Sequence, residues 1–319
     1  MYFRIAWSKS TGRNTKGKVK RSRRKLKREG GSMNNIKYIK YRKMKNSIFH
    51  GVIFCVTLIG IVVLAVLLID IVIRGVPFLT KHFFTNFPSR FANKAGILPG
   101  IMGSVWIIVL TILFAVPIGL GTAIYLEEYA KNNRITQFIK INVSNLSGTP
   151  SIVYGLLGLA VFVRTLGLGK SILSGALTMA LVVLPIVIVS SQEAIKAVPQ
   201  HLRHGSYALG ATKWQTIRKI VVPAALPGIF TGVILSVSRA LGESAPLLMV
   251  GAATYVSKLP DGVSSVFTAL PLQIYYWMGL PKEEFKDLAA AGIIVLLAIL
   301  LTANAVTIVL RNKYQKTME

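Results

Sequence analysis

Six long apolar segments set the first limit on what this chain can fold into. They lie at 48–73, 97–126, 137–163, 171–192, 222–250 and 288–310. A helix of about 20 apolar residues is as long as the hydrocarbon core of a bilayer is thick, and it satisfies its own backbone hydrogen bonds. Charged residues make up 15% of the chain, against about 25% in an ordinary soluble domain. The sequence therefore predicts an all-α integral membrane protein with six transmembrane helices.

The first and third segments differ from the other four. Segment 48–73 is too long for the core of a signal peptide and lacks a small-x-small cleavage site, so we expect a retained signal anchor. Segment 137–163 is interrupted by polar side chains, and its pattern is the weakest of the six. These side chains belong to Asn142, Ser144, Asn145, Ser147 and Thr149.

Basic residues are concentrated near the amino terminus. Residues 1–47 hold 17 of the 38 Lys and Arg residues and a single acid, Glu29. With the amino terminus inside, the inner segments carry 27 basic residues and the outer segments carry 9. Because cytoplasmic loops are enriched in Lys and Arg, the pattern predicts that both termini face the cytoplasm. The alternative, a membrane-tethered nucleic-acid binder, depends on the basic tail alone, and we predict no nucleic-acid partner.

The first 32 residues have a second explanation. Residues 27–32, immediately before Met33, are Lys-Arg-Glu-Gly-Gly-Ser. Purine-rich codons can encode Lys, Arg, Glu and Gly, as in a ribosome-binding site that has been translated by mistake. One hypothesis is that the natural chain starts at Met33 and that 1–32 are not native. The other keeps these residues in the cytoplasmic tail.

The sequence offers no arrangement of residues suited to catalysis or to metal binding. Cys55 is the single cysteine and lies in an apolar segment, while His201 and His204 lack a third ligand nearby. Gly-Lys-Ser at 169–171 matches the end of a phosphate-binding loop, but Arg164 stands where that loop requires its first glycine. We therefore predict no catalytic residue, no cofactor and no metal.

The inner segment 193–221 is too long to be a simple turn. It is expected to form two short helices with a sharp corner between them. Gly210 is placed to be the left-handed residue that closes the first helix. Thr212 and Gln215 have the spacing of a capping box that starts the second.

An apolar face is expected on the second of these helices. Trp214, Ile217 and Val221 recur at three and four residues and so share one side of a regular helix. Such a face predicts insertion into a groove of a partner. The alternative is a helix that lies on the lipid headgroups.

This corner resembles the cytoplasmic coupling loop of binding-protein-dependent ABC permeases. The motif of that family is Glu-Ala-Ala, three residues, Gly, nine residues and Ile-x-Leu-Pro. The matching positions after Gly210 are Ile220, Val222 and Pro223, whereas His204, Gly205 and Ser206 replace Glu-Ala-Ala, so no carboxylate is present there. The resemblance implies docking on an ATPase through His204, Gly205, Ser206, Gly210, Trp214, Ile220 and Pro223.

Other segments narrow the resemblance to the permeases of the phosphate-specific ABC importer, PstA type. They are Gly-Thr-Pro-Ser-Ile-Val-Tyr-Gly at 148–155, Ser-Arg-Ala-Leu-Gly-Glu-Ser-Ala-Pro at 238–246 and Leu-Pro-Leu-Gln-Ile-Tyr at 270–275. The resemblance implies a type I importer fold and a second permease subunit of the PstC type. It also implies an ATPase dimer and an extracellular or periplasmic phosphate-binding protein. ATP hydrolysis is then assigned to the partner, and this chain is not an enzyme.

The charge pattern, the apolar segments and the resemblance together predict an organisation of the chain. A basic cytoplasmic tail, 1–47, precedes the first transmembrane helix, 48–73. The permease core spans 97–311, contains the coupling loop 193–221, and is followed by a cytoplasmic tail, 312–319. The expected location is the bacterial plasma membrane, with several passes through it.

Arg239 and Glu243 are the clearest candidates for residues that carry transport. An ionisable residue within a span costs about 2.5–3.5 kcal/mol on insertion scales, so it is by default a functional candidate. Four residues apart, the two share a side of a continuous helix. We expect Arg239 to attract the anion and Glu243 to orient it. The alternative is an ion pair that only fixes helix packing.

The third segment adds hydroxyl groups at a depth expected to be similar. Ser147, Thr149 and Ser151 flank Pro150, which lacks a backbone donor and leaves a carbonyl without its helical partner. A pore tolerates such a carbonyl, whereas lipid does not. We therefore expect these hydroxyls to line the translocation pathway. A packing kink is the alternative.

The predicted function is import of inorganic phosphate by alternating access, with ATP hydrolysed on partner subunits. A permease for another oxyanion, such as molybdate or sulfate, would have the same coupling loop. A secondary transporter would work without an ATPase, and the capped cytoplasmic corner argues against it.

Overall fold

The computed structural model describes residues 33–252 and 255–316. Within these ranges the regular elements are helices, which confirms the all-α prediction. The chain divides into two compact units, Met1–Leu68 and Ile69–Glu319. The predictions made for residues 1–32 and 317–319, including the start at Met33, lie outside the described residues.

A long helix, α1 (Met33–Gly75), provides the described part of the first unit. Its side chains from 40 to 68 are all exposed, and from 48 onward they are almost all apolar. A helix that is apolar on every side matches a lipid environment better than water. The predicted first transmembrane helix, 48–73, lies within α1.

The second unit contains the remaining helices. They are α2 (Lys81–Thr85), α3 (Leu98–Ile124), α4 (Arg134–Leu146), α5 (Ser151–Gly158), α6 (Ile172–Lys196), α7 (Gln200–Ala208), α8 (Lys213–Thr216), α9 (Val222–Gly242), α10 (Ala245–Val250), α11 (Leu270–Met278) and α12 (Glu283–Lys316). Three wider, π-helical turns continue α3, α5 and α8. They are Tyr125–Tyr129, Leu159–Thr165 and Ile217–Val221.

Helix α6 lies at the centre of the second unit, packed between α3 and α9. Close approach depends on glycine. A Cβ atom on Gly119 would lie 2.7 Å from Cγ1 of Val187, and one on Gly232 would lie 2.0 Å from Oγ of Ser190. Small residues at such crossings let helices pack tightly where no hydrophobic driving force exists between them.

A hydrophobic cluster packs α11 and α12 against the segment that leads into α3. Its largest buried side chains are Phe83, Ile97, Trp277 and Phe285. Two hydrogen bonds fix it further: Gln273 Nε2 donates to the carbonyl of Gly96 at 2.9 Å, and the amide of Leu270 donates to Ser104 Oγ at 2.8 Å.

Five segments of the described chain are long and apolar enough to cross a membrane. They are Lys40–Phe78, Leu98–Tyr129, Ile172–Lys196, Lys213–Gly242 and Glu283–Val306. A sixth is formed by two helices, Arg134–Leu146 and Ser151–Thr165, which meet at 102°. This bent pair corresponds to the predicted segment 137–163, and its bend lies among the polar residues that interrupt the apolar pattern. The count of six holds if the bent pair is one span.

A proline follows this bend, and another follows a second interruption, in the predicted span 222–250. Pro150 has no N–H for the carbonyl of Leu146, and Pro246 has none for that of Gly242; each ring also clashes with that carbonyl. Helix α4 accordingly ends at Leu146 and α9 at Gly242. The prediction of a continuous helix through 250 is wrong, because α10 starts separately at Ala245.

Candidate functional site

The two helix breaks lie against each other. Helix α5, which follows the first break, packs on α10, which follows the second. Gly155 makes this possible, because a Cβ atom there would lie 2.8 Å from both Pro246 Cα and Met249 Cβ. The two segments that carry the resemblance, 148–155 and 238–246, are thus brought together across the sequence.

At the first break, side chains replace lost backbone hydrogen bonds. The carbonyl of Leu146, which Pro150 cannot serve, accepts from the Tyr154 hydroxyl at 2.8 Å and from the amide of Thr149 at 3.1 Å. Ser147 Oγ donates to the carbonyl of Ser144 at 2.6 Å. Ser147, Thr149 and Ser151 are each half-buried at this bend. Their predicted depth, counted along a straight helix, does not apply to a chain that turns by 102°.

At the second break, Arg239 and Glu243 form an ion pair. The distance from Arg239 Nε to Glu243 Oε1 is 3.4 Å, and the side chains are 42% and 21% exposed. They do not share a continuous helix, since Glu243 follows the last residue of α9 with extended backbone, at φ −83° and ψ 122°. Arg239 and Glu243 are therefore close, as predicted, but they meet at the end of α9 and not along one side of a continuous helix.

The Arg239 guanidinium keeps an open edge. Among the described residues, Glu243 is the one carboxylate within 4.0 Å of it, and the contact is made through Nε. The remaining donors of the guanidinium have the fork geometry that suits an oxyanion.

The corner between α7 and α8 forms as the sequence predicts. Gly210 has φ +79°, in the left-handed region. The Thr212 hydroxyl accepts from the amide of Gln215 at 3.3 Å, and the Gln215 side chain accepts from the amide of Thr212 at 2.8 Å. Helices α7 and α8 are also joined by a buried hydrogen bond of 2.9 Å between the hydroxyls of Ser206 and Thr216. Ser206 therefore faces inward.

The predicted apolar face of the corner is divided. Trp214 is 57% exposed, whereas Ile217 and Val221 are buried. The reason is that α8 passes into the wider turn Ile217–Val221, where the spacing of a regular helix no longer keeps residues on one side. Leu209, which is 90% exposed, joins Trp214 on the surface.

The remaining predicted docking residues differ in exposure. His204, Gly205 and Gly210 are exposed on the corner, and a Cβ atom on either glycine would meet no atom within 4 Å. Ile220 and Pro223 are half-buried at the entry to α9. His204, Gly205, Leu209, Gly210 and Trp214 therefore all lie on the exposed surface of the corner, together with other exposed side chains such as Tyr207.

A buried ion pair holds the corner to the membrane helices, and the sequence analysis missed it. Arg203 Nη2 lies 2.9 Å from Oε1 of Glu128, and each side chain is 9% exposed. The consecutive acids Glu127 and Glu128, at the inner end of an apolar span, were the available signal. Their partner is 75 positions away, so spacing does not identify it.

Comparison with known proteins agrees with this architecture. Residues 115–318 match the family described as "Binding-protein-dependent transport system inner membrane component". The probable ABC transporter permease protein YqgI of Bacillus subtilis (strain 168) is 36% identical over 213 residues, 67% of this chain and 72% of the relative. The phosphate transport system permease protein PstA of Mycobacterium leprae (strain TN) is 37% identical over 243 residues, 73% of this chain and 78% of the relative.

Solved structures show the same fold at low identity. The bacterial alginate ABC transporter in complex with alginate pentasaccharide-bound periplasmic protein aligns with a TM-score of 0.60 and 16% identity, over 83% of this chain and 96% of that one. An inward-facing methionine ABC transporter aligns with a TM-score of 0.56 and 16% identity, over 68% and 95%. The predicted fold class and the resemblance to PstA-type permeases are confirmed. The chain belongs to the family of binding-protein-dependent transport system inner membrane components.

Proposed function

We propose that this chain is the permease subunit of an ATP-driven importer that passes inorganic phosphate inward by alternating access. The observation that carries the proposal is Arg239, a charged side chain with an open guanidinium edge in the last turn of α9, beside the second helix break. Relatives that are named as phosphate permeases support the choice of substrate. Molybdate or sulfate remains the alternative cargo, because each is an oxyanion that the same fork would bind.

In this proposal Arg239 binds the partly dehydrated anion and Glu243 orients it. A guanidinium held by one carboxylate through Nε has a fixed plane, and its other donors are free to form a bidentate contact. Ser147, Thr149 and Ser151 would contribute hydroxyl groups from the other break. The alternative is that Arg239 and Glu243 only fix the end of α9.

The proposed assembly contains a second permease of the PstC type, two ATPase subunits and an external phosphate-binding protein. The exposed corner, with His204, Gly205, Gly210 and Trp214, would dock on an ATPase subunit. Its apolar tip, Leu209 and Trp214, is unfavourable in water and suited to a groove. ATP hydrolysis belongs to that partner.

The proposed orientation in the plasma membrane, with both termini in the cytoplasm, is tested by labelling. Cys55 is first replaced, and single cysteines are introduced at Ser89, Ser264 and Lys213. In sealed cells we expect an impermeant maleimide to label Ser89→Cys and Ser264→Cys and to spare Lys213→Cys. Labelling of Lys213→Cys from outside would reverse the topology.

The substrate assignment is tested with Arg239. Arg239→Gln should insert normally, while labelled phosphate uptake falls about tenfold or more, as expected for losing a hydrogen bond to a charged group. Arg239→Lys should keep part of the uptake, since the charge stays and the fork is lost. Protein levels in the membranes are matched for each variant.

The double variant Arg239→Gln with Glu243→Gln separates transport from packing. If the pair only fixes the helix end, removing both charges leaves neither unpaired and uptake returns. If Arg239 binds the anion, uptake stays low although the complex assembles. Competition of uptake by molybdate or sulfate at equal concentration identifies the preferred oxyanion.

A further inference from the structure

The turn Tyr125–Tyr129, which ends α3, contacts helices on two sides of the second unit. It is anchored by Leu126, which is 3% exposed. Because successive residues of a helical turn point in different directions around its axis, Glu127, Glu128 and Tyr129 meet different neighbours. This turn is called the inner turn below.

Glu128 and Tyr129 hold the cytoplasmic corner. Glu128 accepts from Arg203 Nε at 3.2 Å and from Nη2 at 2.9 Å. Arg203 also donates to the carbonyls of Val198, at 2.6 Å, and Ile195, at 2.9 Å. Helix α7 is therefore tied to the ends of α3 and α6 by a guanidinium that donates to one carboxylate and two carbonyls.

The second corner helix has its own contact with the inner turn. Lys213, at the start of α8, places Nζ 4.9 Å from the centre of the Tyr129 ring. A cation over an aromatic face is attracted to it. Both helices of the corner therefore contact the inner turn. A movement of the corner either carries the inner turn with it or breaks these contacts.

Glu127 holds the bent span instead. Its Oε1 lies 2.8 Å from Lys140 Nζ on α4 and 2.9 Å from Nε2 of Gln192 on α6. A second cation, Lys196 Nζ, lies 4.0 Å away and is bound to Glu193 at 2.8 Å. Glu127 thus binds Lys140, and a short movement would bring Lys196 to the same bonding distance.

Helix α4 depends on this contact more than other helices would. None of its side chains is buried. Its described side-chain bonds to other helices are Lys140 with Glu127 and, at the bend, the Tyr154 hydroxyl with the carbonyl of Leu146. A helix so lightly attached can move when one ion pair changes partner.

We infer that the inner turn transmits the movement of the cytoplasmic corner to the bent span, with Glu128 and Arg203 as the rigid side and Glu127 as the exchangeable side. When the corner moves, the inner turn follows it, and Glu127 passes between Lys140 and Lys196. Helix α4 is held in one state and released in the other. A two-state element of this kind is the physical basis that coupling between distant sites requires. The inference rests on the proposed function, because it names positioning residues within that transporter.

The test uses the full transporter, with its partner subunits and binding protein, in proteoliposomes. Lys140→Gln is the main variant, since Lys140 is one-third exposed and its loss leaves Glu127 with Gln192 and Lys196. Lys140→Arg keeps the charge. Lys131→Gln is the matched control: it removes a nearby exposed cation for which no ion pair is described.

The readout is the number of ATP molecules hydrolysed per phosphate imported. Lys140→Gln should assemble and keep ATPase stimulation by loaded binding protein, while this ratio rises about fivefold or more, the low end of coupling between sites. Lys140→Arg should restore the ratio, and Lys131→Gln should not change it. An unchanged ratio in Lys140→Gln overturns the inference, as does a fall in uptake that only follows lost assembly.

A second measurement keeps this failure apart from failure of the proposed function. Spin labels at Gln137→Cys on α4 and His201→Cys on α7, in a background without Cys55, report the distance between the two helices with and without trapped ATP. The distance should change in the otherwise unmodified transporter and stop changing in Lys140→Gln. If wild type imports no phosphate, the proposed function fails, yet this distance still decides the inference. A change that persists in Lys140→Gln overturns it.

Discussion

The helix breaks and the corner between α7 and α8 use polar groups in opposite ways. At the breaks, Arg239 has one carboxylate at 3.4 Å and an open edge. At the corner, Arg203 has a carboxylate and two carbonyls, all within 3.2 Å, and is buried. A buried arginine held by several protein acceptors fixes geometry, whereas an arginine with an open edge can bind a ligand. The comparison separates residues that position helices from residues that handle cargo.

The largest effect is expected where the two breaks touch. Gly155→Ala places a Cβ atom 2.8 Å from Pro246 Cα, and backbone must move to admit it. We expect a loss of about 1–3 kcal/mol in stability, seen as a lower thermal midpoint in detergent, together with lost uptake.

Gly121→Ala is the matched control for that change. Gly121 lies in a helix with no atom within 4 Å of the added Cβ. Stability should hold or rise by up to about 1 kcal/mol, because alanine favours the helix. Equal behaviour of the two variants would show that the breaks do not depend on close contact.

Gly210→Val should affect the corner and leave the breaks intact. A β-branched residue at φ +79° is strained by about 1–2 kcal/mol. The transporter should assemble, but loaded binding protein should no longer stimulate its ATPase. Asn tolerates the left-handed region, so Gly210→Asn should lose less of the ATPase stimulation than Gly210→Val. Normal stimulation in Gly210→Val would remove the corner from signal transmission.

A smaller effect is expected from Tyr154→Phe. The change deletes the hydroxyl that serves the carbonyl of Leu146, which costs about 1 kcal/mol. Because that hydroxyl closes the bend at which Ser147, Thr149 and Ser151 lie, phosphate uptake should fall while ATPase stimulation stays. A loss of stimulation with normal uptake would contradict the division between the two regions.

The smallest effect is expected from Thr212→Ala. It removes one half of the capping box and costs about 1 kcal/mol or less in an exposed helix start. ATPase stimulation should weaken slightly, with the apparent affinity for phosphate unchanged. Thr212→Ser keeps the cap and serves as the control. A changed affinity for phosphate would show that the corner and the helix breaks do not act separately, contrary to the comparison.

Local patterns made part of this structure predictable. The apolar segments, the left-handed Gly210 and the Thr212–Gln215 capping box each depend on neighbours within a few positions. Pro150 signalled a weakened helix, but its 102° bend depends on what packs around it. The prediction of a continuous helix through 250 was wrong because α9 ends at Gly242, four residues before Pro246.

Long-range partners were beyond reach for the same reason. The sequence identified Arg239 and Glu243 because they are four residues apart, and it missed Arg203 because its carboxylate is 75 positions away. Trp214, Ile217 and Val221 were predicted to share one face because their spacing is that of a regular helix. The prediction was wrong because a wider turn begins at Ile217.

The length of α1 connects this transporter to the composition of its membrane. A helix of 43 residues is about 65 Å long, roughly twice the thickness of the hydrocarbon core. Its portion before residue 48 includes Lys40, Arg42, Lys43 and Lys45 and must extend beyond the acyl chains. In the proposed orientation these charges meet the inner leaflet, where each is attracted to anionic lipid by about 1 kcal/mol. Cells that change their anionic lipid content would therefore change how firmly this helix is seated.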